Sequence, residues 1–251
     1  MSKDLFSNQA NTYAKYRPVY PKELFDHILR FVTEKNTAWD CATGNGQTAK
    51  QLSRHFEKVM ATDISSSQLE KASRADNIYY SVQSAEQTNF PDNSFDLVTV
   101  SQALHWFRFD EFYAEVRRVA RPGSWIAVWM YALLYISPEI DKLIHQYYTE
   151  TLGKYWDQER RYVDENYSTL PFPFEEIQCP RFTINFDWTL EELEGYLHTW
   201  SALQKFITAN GYNPADELIK QITPYWSEKI SPDEENRRRI IFPVYVRMGR
   251  V

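Results

Sequence analysis

Leu24, Phe25, Ile28, Leu29 and Val32 recur at the spacing of one helical face, with Pro21 where a first turn tolerates proline, so residues 21–32 predict an amphipathic helix. The run TAWDCA (37–42) reads as a short strand ending in an acid and small residues, after which Ala49, Leu52 and Phe56 resume helical spacing. KVMATDIS (58–65) predicts a second strand, and Ser67-Gln68-Leu69-Glu70 carries a capping-box pattern for the helix after it. IYYSVQ (78–83) predicts a third strand; past the turn signal PDNS, the β-branched and apolar FDLVTVS (95–101) predicts a fourth. A helix over 110–120 shows Phe112, Val116 and Val119 on one side. RPGS (121–124) then breaks the chain before WIAVWM (125–130), a fifth strand apolar enough for burial on both faces. Strands alternating with helices imply right-handed crossovers, hence an α/β doubly wound, mostly parallel sheet.

Past Met130 the rhythm changes. Residues 138 to about 170 read as helical and are crowded with Tyr147, Tyr148, Tyr155, Trp156, Tyr162 and Tyr167, as in a helical cap inserted into the core. RFTINFDWT (181–189) alternates like a strand, 190–208 reads as helix, and IIFPVYVRM (240–248) predicts a terminal strand beginning after Pro243. The expected organisation is an N-terminal arm and ligand-binding core over 1–131, a helical cap on the substrate side over 132–180, and the rest of the core over 181–251.

Composition narrows the partners. A formal charge of −6 lacks the positive field that nucleic acid requires, and no apolar run is long enough for a membrane span. Cys41 and Cys179 are far apart and His145 and His198 have no acids at ligand spacing, so no metal site is expected, and a reducing, cytoplasmic setting is the default. Aromatic residues make up 16% of the chain, which points to wide amphipathic surfaces or a ring-lined pocket. The sequence does not give the oligomeric state.

Against only seven glycines in all, Gly44 and Gly46 fall together in WDCATGNGQTA (39–49), the loop after the first strand, where doubly wound sheets bind ligands. Gly44 to Ala49 matches the dinucleotide pattern G-x-G-x-x-G/A, which raises a nucleotide-cofactor oxidoreductase. Asp40 opposes it, since a carboxylate there repels a pyrophosphate and favours a ligand carrying an ammonium group. S-adenosylmethionine is such a ligand. It predicts an acid for its ribose, met by Asp63; an adenine contact after the third strand, met by Ser84, Ala85 and Glu86; and Ser101 and Gln102 facing its methionine portion.

With these features the chain resembles the class I S-adenosylmethionine-dependent methyltransferases. The likeness runs in order through DCATGNG (40–46), ATDIS (61–65), SAE (84–86), FDLVTVSQALHWF (95–107) and RPGSWIAV (121–128). FSNQANTYAKYRPVYP (6–21) and LEGYLHTWSALQKF (193–206) look like the subgroup of trans-aconitate methyltransferases and their relatives. The resemblance implies a Rossmann-like fold, a methyl transferred to an O or N atom of a small molecule such as a carboxylate, and cofactor contacts that also include Ile64 and Ala42. Ala42 stands where the family usually has glycine, and alanine fits there with a negative φ. Tyr13, Arg17 and Tyr20 belong to a segment that in similar enzymes folds over the cofactor, with Arg17 facing a carboxylate. His105, in QALHWF, is the candidate general base, or else a ring that lines the pocket and packs on Trp106. A non-catalytic module that binds the cofactor keeps the same motifs, so sequence leaves both open.

Overall fold

The computed structural model describes residues 18–227 and 236–251, so Tyr13 and Arg17 lie outside the described residues. Its strands are β1 (Thr37–Cys41), β2 (Lys58–Asp63), β3 (Ile78–Val82), β4 (Phe95–Ser101), β5 (Ala120–Tyr131), β6 (Glu175–Ile177), β7 (Phe182–Trp188) and β8 (Arg238–Arg250). They form one sheet in the order β3-β2-β1-β4-β5-β8-β6, with β7 also paired to β8. β1 to β5 are mutually parallel, while β8 runs antiparallel to β5, β6 and β7.

β4 is buried from Phe95 to Val100, as a central strand covered on both faces should be. On one face the helix Lys22–Leu29 lays Leu24, Phe25, Ile28 and Leu29 against the sheet. On the other, the helix Phe109–Val119 packs Phe112, Val116 and Val119. Strand order reverses between β1 and β4, so the loops after these strands open side by side at their carboxyl ends, where Thr48 Oγ1 meets Ser101 Oγ at 3.2 Å.

Several expectations are corrected. β8 starts at Arg238 and runs straight through Pro243. The Pro243 carbonyl accepts the Ala132 amide at 2.9 Å, so the residue's missing N–H also faces that side, just past the end of β5 pairing at Val244, and no ladder bond to β7 is lost. RPGS does not break the chain: β5 continues through it with a register shift opposite Phe95/Leu97, made possible by Gly123 at φ 79. The helix after β2 is capped by Ser65 rather than Ser67, its side chain accepting from the Gln68 amide at 3.4 Å. The continuous helix read over 138–170 is a helix Pro138–Gln146, a π turn Tyr147–Thr151 and short helical turns, with the rings of Tyr148, Trp156 and Trp200 packed against one another across the break, Tyr148 and Trp156 tilted at 4.7 Å. Between β7 and β8 lie three helices, Leu190–Leu197, Ser201–Asn210 and Ala215–Ser227, the last packing on Pro138–Gln146. Among the described residues no helix is long and apolar enough to cross a membrane.

Candidate active site

A cavity of about 210 Å³ opens at the carboxyl ends of the parallel strands. Its floor is the loop after β1. Gly44, at φ 56, has nothing within 4 Å of where a Cβ would stand, so the loop leaves open space there. The Gly44 amide donates to Asp63 Oδ2 at 2.8 Å and the Ser65 amide to Oδ1 at 2.9 Å, which fixes the Asp63 carboxylate at the end of β2 beside Ile64. Glu86 borders the cavity after β3. Burial alone would raise its carboxyl, but the Ser84 hydroxyl and the Arg108 amide, at 3.1 Å, outweigh burial and hold it lowered.

After β4 come Ser101, Gln102 and His105. Gln102, at φ 55, spends its side-chain amide on Tyr131, whose N–H donates to Oε1 at 2.8 Å, so its backbone turns the loop into the cavity wall. His105 is buried, with its ring 4.8 Å from that of Trp106 and Nδ1 2.8 Å from the Tyr167 hydroxyl. Tyr20 also borders the cavity, with its ring 5.7 Å from Trp129.

The opposite wall comes from Trp156 and Arg160 and, across the chain, from Tyr196, Thr199 and Trp200. Arg160 Nε donates to Tyr148 Oη at 2.9 Å, and that hydroxyl donates to Asp164 Oδ1 at 2.6 Å. The guanidinium lies 4.9 Å over the Trp156 ring, and its carboxylate neighbour Asp164 is 3.8 Å away. Among the described residues its Nη1 and Nη2 donate to nothing.

Three residues expected as contacts stand elsewhere. Asp40 is fully buried under the loop, where the hydroxyls of Thr43 and Thr99 donate to it, at 2.5 and 2.9 Å, and it does not border the cavity. Burial pushes its carboxyl up to about 7 despite those hydrogen bonds. Gly46 is not among the residues bordering the cavity, and a Cβ there would collide with the Tyr80 hydroxyl. Ser84 acts through Glu86 instead of lining the space. Ala42 does border the cavity, but at φ 53, so the negative φ expected of it is wrong; the loop imposes a left-handed turn that costs alanine about 1–2 kcal/mol. The sequence reading missed Gln68, Tyr131 and Arg160. Arg160 is the instructive miss, since DQERRY (157–162) reads as a solvated charge run.

The open floor at Gly44, the oriented Asp63 and the ionised Glu86 suit a ligand with a small amino-acid end, a diol and an exocyclic amine. Residues 39–128 match the model of the methyltransferase domain. A protein of Dictyostelium discoideum named as a methyltransferase is 31% identical over 98% of this chain and 95% of its own length. A methyltransferase of Aspergillus candidus is 22% identical over 90% of this chain and 79% of its own. A solved structure from Anaeromyxobacter dehalogenans, described as a type II methyltransferase, is 36% identical, covers 94% of this chain and 98% of its own, and superposes with a TM-score of 0.84. Domain, full-length relative and fold agree with the chemistry of the cavity: the chain belongs to the S-adenosylmethionine-dependent methyltransferases.

Proposed function

We propose that the methyl acceptor is a small organic acid and that its carboxylate is methylated in this cavity. Arg160 carries the reading. A guanidinium set among Tyr148, Trp156 and the cavity, with Nε already committed, offers Nη1 and Nη2 as a planar fork, the geometry that suits a carboxylate. Trp156 and Trp200 supply apolar faces for the carbon skeleton beside it.

Asp63, Ala85 and Glu86 would hold the ribose and adenine of S-adenosylmethionine, and the open backbone at Gly44 its methionine end. When bound, that cofactor supplies an electrophilic methyl: the carboxylate oxygen forms O–CH3 as S–CH3 breaks, sulfur keeps the bonding pair, and no proton changes place. The protein then has to align the acceptor oxygen and exclude water. Arg160 does this by holding the carboxylate, and the aromatic wall by holding the body of the acid.

The test offers labelled S-adenosylmethionine with matched sets of small acids, their amides, phenols and amines. Acids are expected to be labelled, and Arg160→Ala to raise KM for them roughly 10- to 100-fold with kcat largely kept. Turnover of uncharged acceptors that is indifferent to Arg160→Ala would sink the reading.

A further inference from the structure

Tyr167 is 1% exposed, and its hydroxyl lies 2.8 Å from His105 Nδ1. A buried O–H without an acceptor costs about 1–3 kcal/mol. Among the described residues Nδ1 is the hydrogen-bond partner within reach of that hydroxyl. The hydroxyl therefore donates to Nδ1, and a neutral imidazole that accepts at Nδ1 carries its proton on Nε2.

We propose that Tyr167 fixes His105 in the Nε2–H tautomer, so that His105 meets the methyl acceptor as a hydrogen-bond donor and not as a base. Tyr167 is then a positioning residue. His105 borders the cavity and Tyr167 does not, so the hydroxyl grips Nδ1 from behind the cavity wall.

The backbone supports this independently. Asn166 and Tyr167 both have left-handed φ, 55 and 60. A bulky residue in that region is strained by about 1–3 kcal/mol and persists where its surroundings hold it. They do: the Tyr167 amide donates to the Tyr162 carbonyl at 2.7 Å, and Arg247 Nη1 donates to the Tyr167 carbonyl at 3.2 Å. The strained turn delivers the hydroxyl to the imidazole.

An Nε2–H group cannot take a proton from an alcohol or an ammonium, but it can hold a lone pair of an oxygen that arrives already ionised. The inference rests on methyl transfer in this cavity and not on the role of Arg160.

The test has a readout that needs no acceptor. Nitrogen NMR of the wild-type protein labelled at histidine, recorded near pH 8.5, well above the ordinary histidine range, is expected to show His105 with Nδ1 bare and Nε2 protonated. His105→Gln assigns the signals. In Tyr167→Phe the preference should be lost. A protonated Nδ1 in the wild type, or an unchanged tautomer in Tyr167→Phe, overturns the proposal. Kinetics add a second arm: His105→Gln keeps an N–H donor without a base, so its kcat should fall less than about ten-fold while His105→Ala falls further. Equal losses of about 10²–10⁴ in both variants, with cofactor affinity intact, would identify a base and overturn it as well.

Discussion

Gly44 and Gly46 stand two residues apart in one loop and serve different needs. Both have positive φ, 56 and 78, but Gly44 faces the cavity and Gly46 faces Tyr80. Gly46→Ala adds left-handed strain and pushes on the Tyr80 hydroxyl, which donates to the Ser73 carbonyl at 2.5 Å. It should cost about 2–3 kcal/mol in urea unfolding, with roughly a third recovered in Gly46→Ala/Tyr80→Phe, and leave cofactor affinity close to wild type in the folded protein. Additive losses in the double variant would show that Tyr80 is not the obstacle. Sequence could mark this loop because glycine is so rare in the chain, yet it could not say which glycine borders the cavity. Asp40 shows the same limit: an acid at a strand end is visible in TAWDC, but its burial under Thr43 and Thr99 depends on the neighbouring strand β4.

The elements of the core were legible because each obeys its own period. FDLVTVS is β4 to the residue, and the helix Lys22–Leu29 follows the spacing of its apolar face. The cap was less so. Its helices are too short to establish a period, and its rings pack across three separate stretches, Tyr148, Trp156 and Trp200. What ties this region to the sheet is Arg247 on β8. It donates to Glu176 at 2.8 and 2.6 Å and to the Leu170 carbonyl at 2.5 Å, and stacks 4.8 Å over Phe172. Arg247→Ala leaves the carbonyls of Tyr167 and Leu170 without this donor. It should destabilise the protein by about 1.5–3 kcal/mol. Hydrogen exchange should show the loss concentrated over 162–177, because β8 keeps its ladders to β5 and β7. Uniform loosening of the whole sheet would contradict that link.

At the scale of the whole molecule, acids shifted in opposite directions set the pH range of stability. Burial alone would raise Glu86 and Glu115, but the Ser84 hydroxyl and Arg108 amide on the first, and Arg118 and Thr88 on the second, hold both lowered. A lowered carboxyl binds fewer protons folded than unfolded, so its contribution is present above the unfolded value of 4.5 and lost as pH falls through the folded one. Asp40 works the other way. Burial raises it from 3.8 to about 7, so the folded chain binds the extra proton and its contribution is whole below 3.8 and lost as pH climbs to 7. Between those limits the difference is about 4 kcal/mol. Tyr80, raised by burial to about 12, adds a loss above its unfolded value of 10. The unfolding free energy should therefore peak near pH 5, where the two glutamates are ionised and Asp40 is still protonated, and decline toward pH 8. Asp40→Asn keeps the shape of the group without its titration, so it should flatten that decline and be at least as stable as wild type at pH 8. Urea titrations of both proteins across this range decide the matter: parallel slopes between pH 5 and pH 7.5 would mean that Asp40 is ionised in the folded core and that the hydroxyls of Thr43 and Thr99 stabilise its charge.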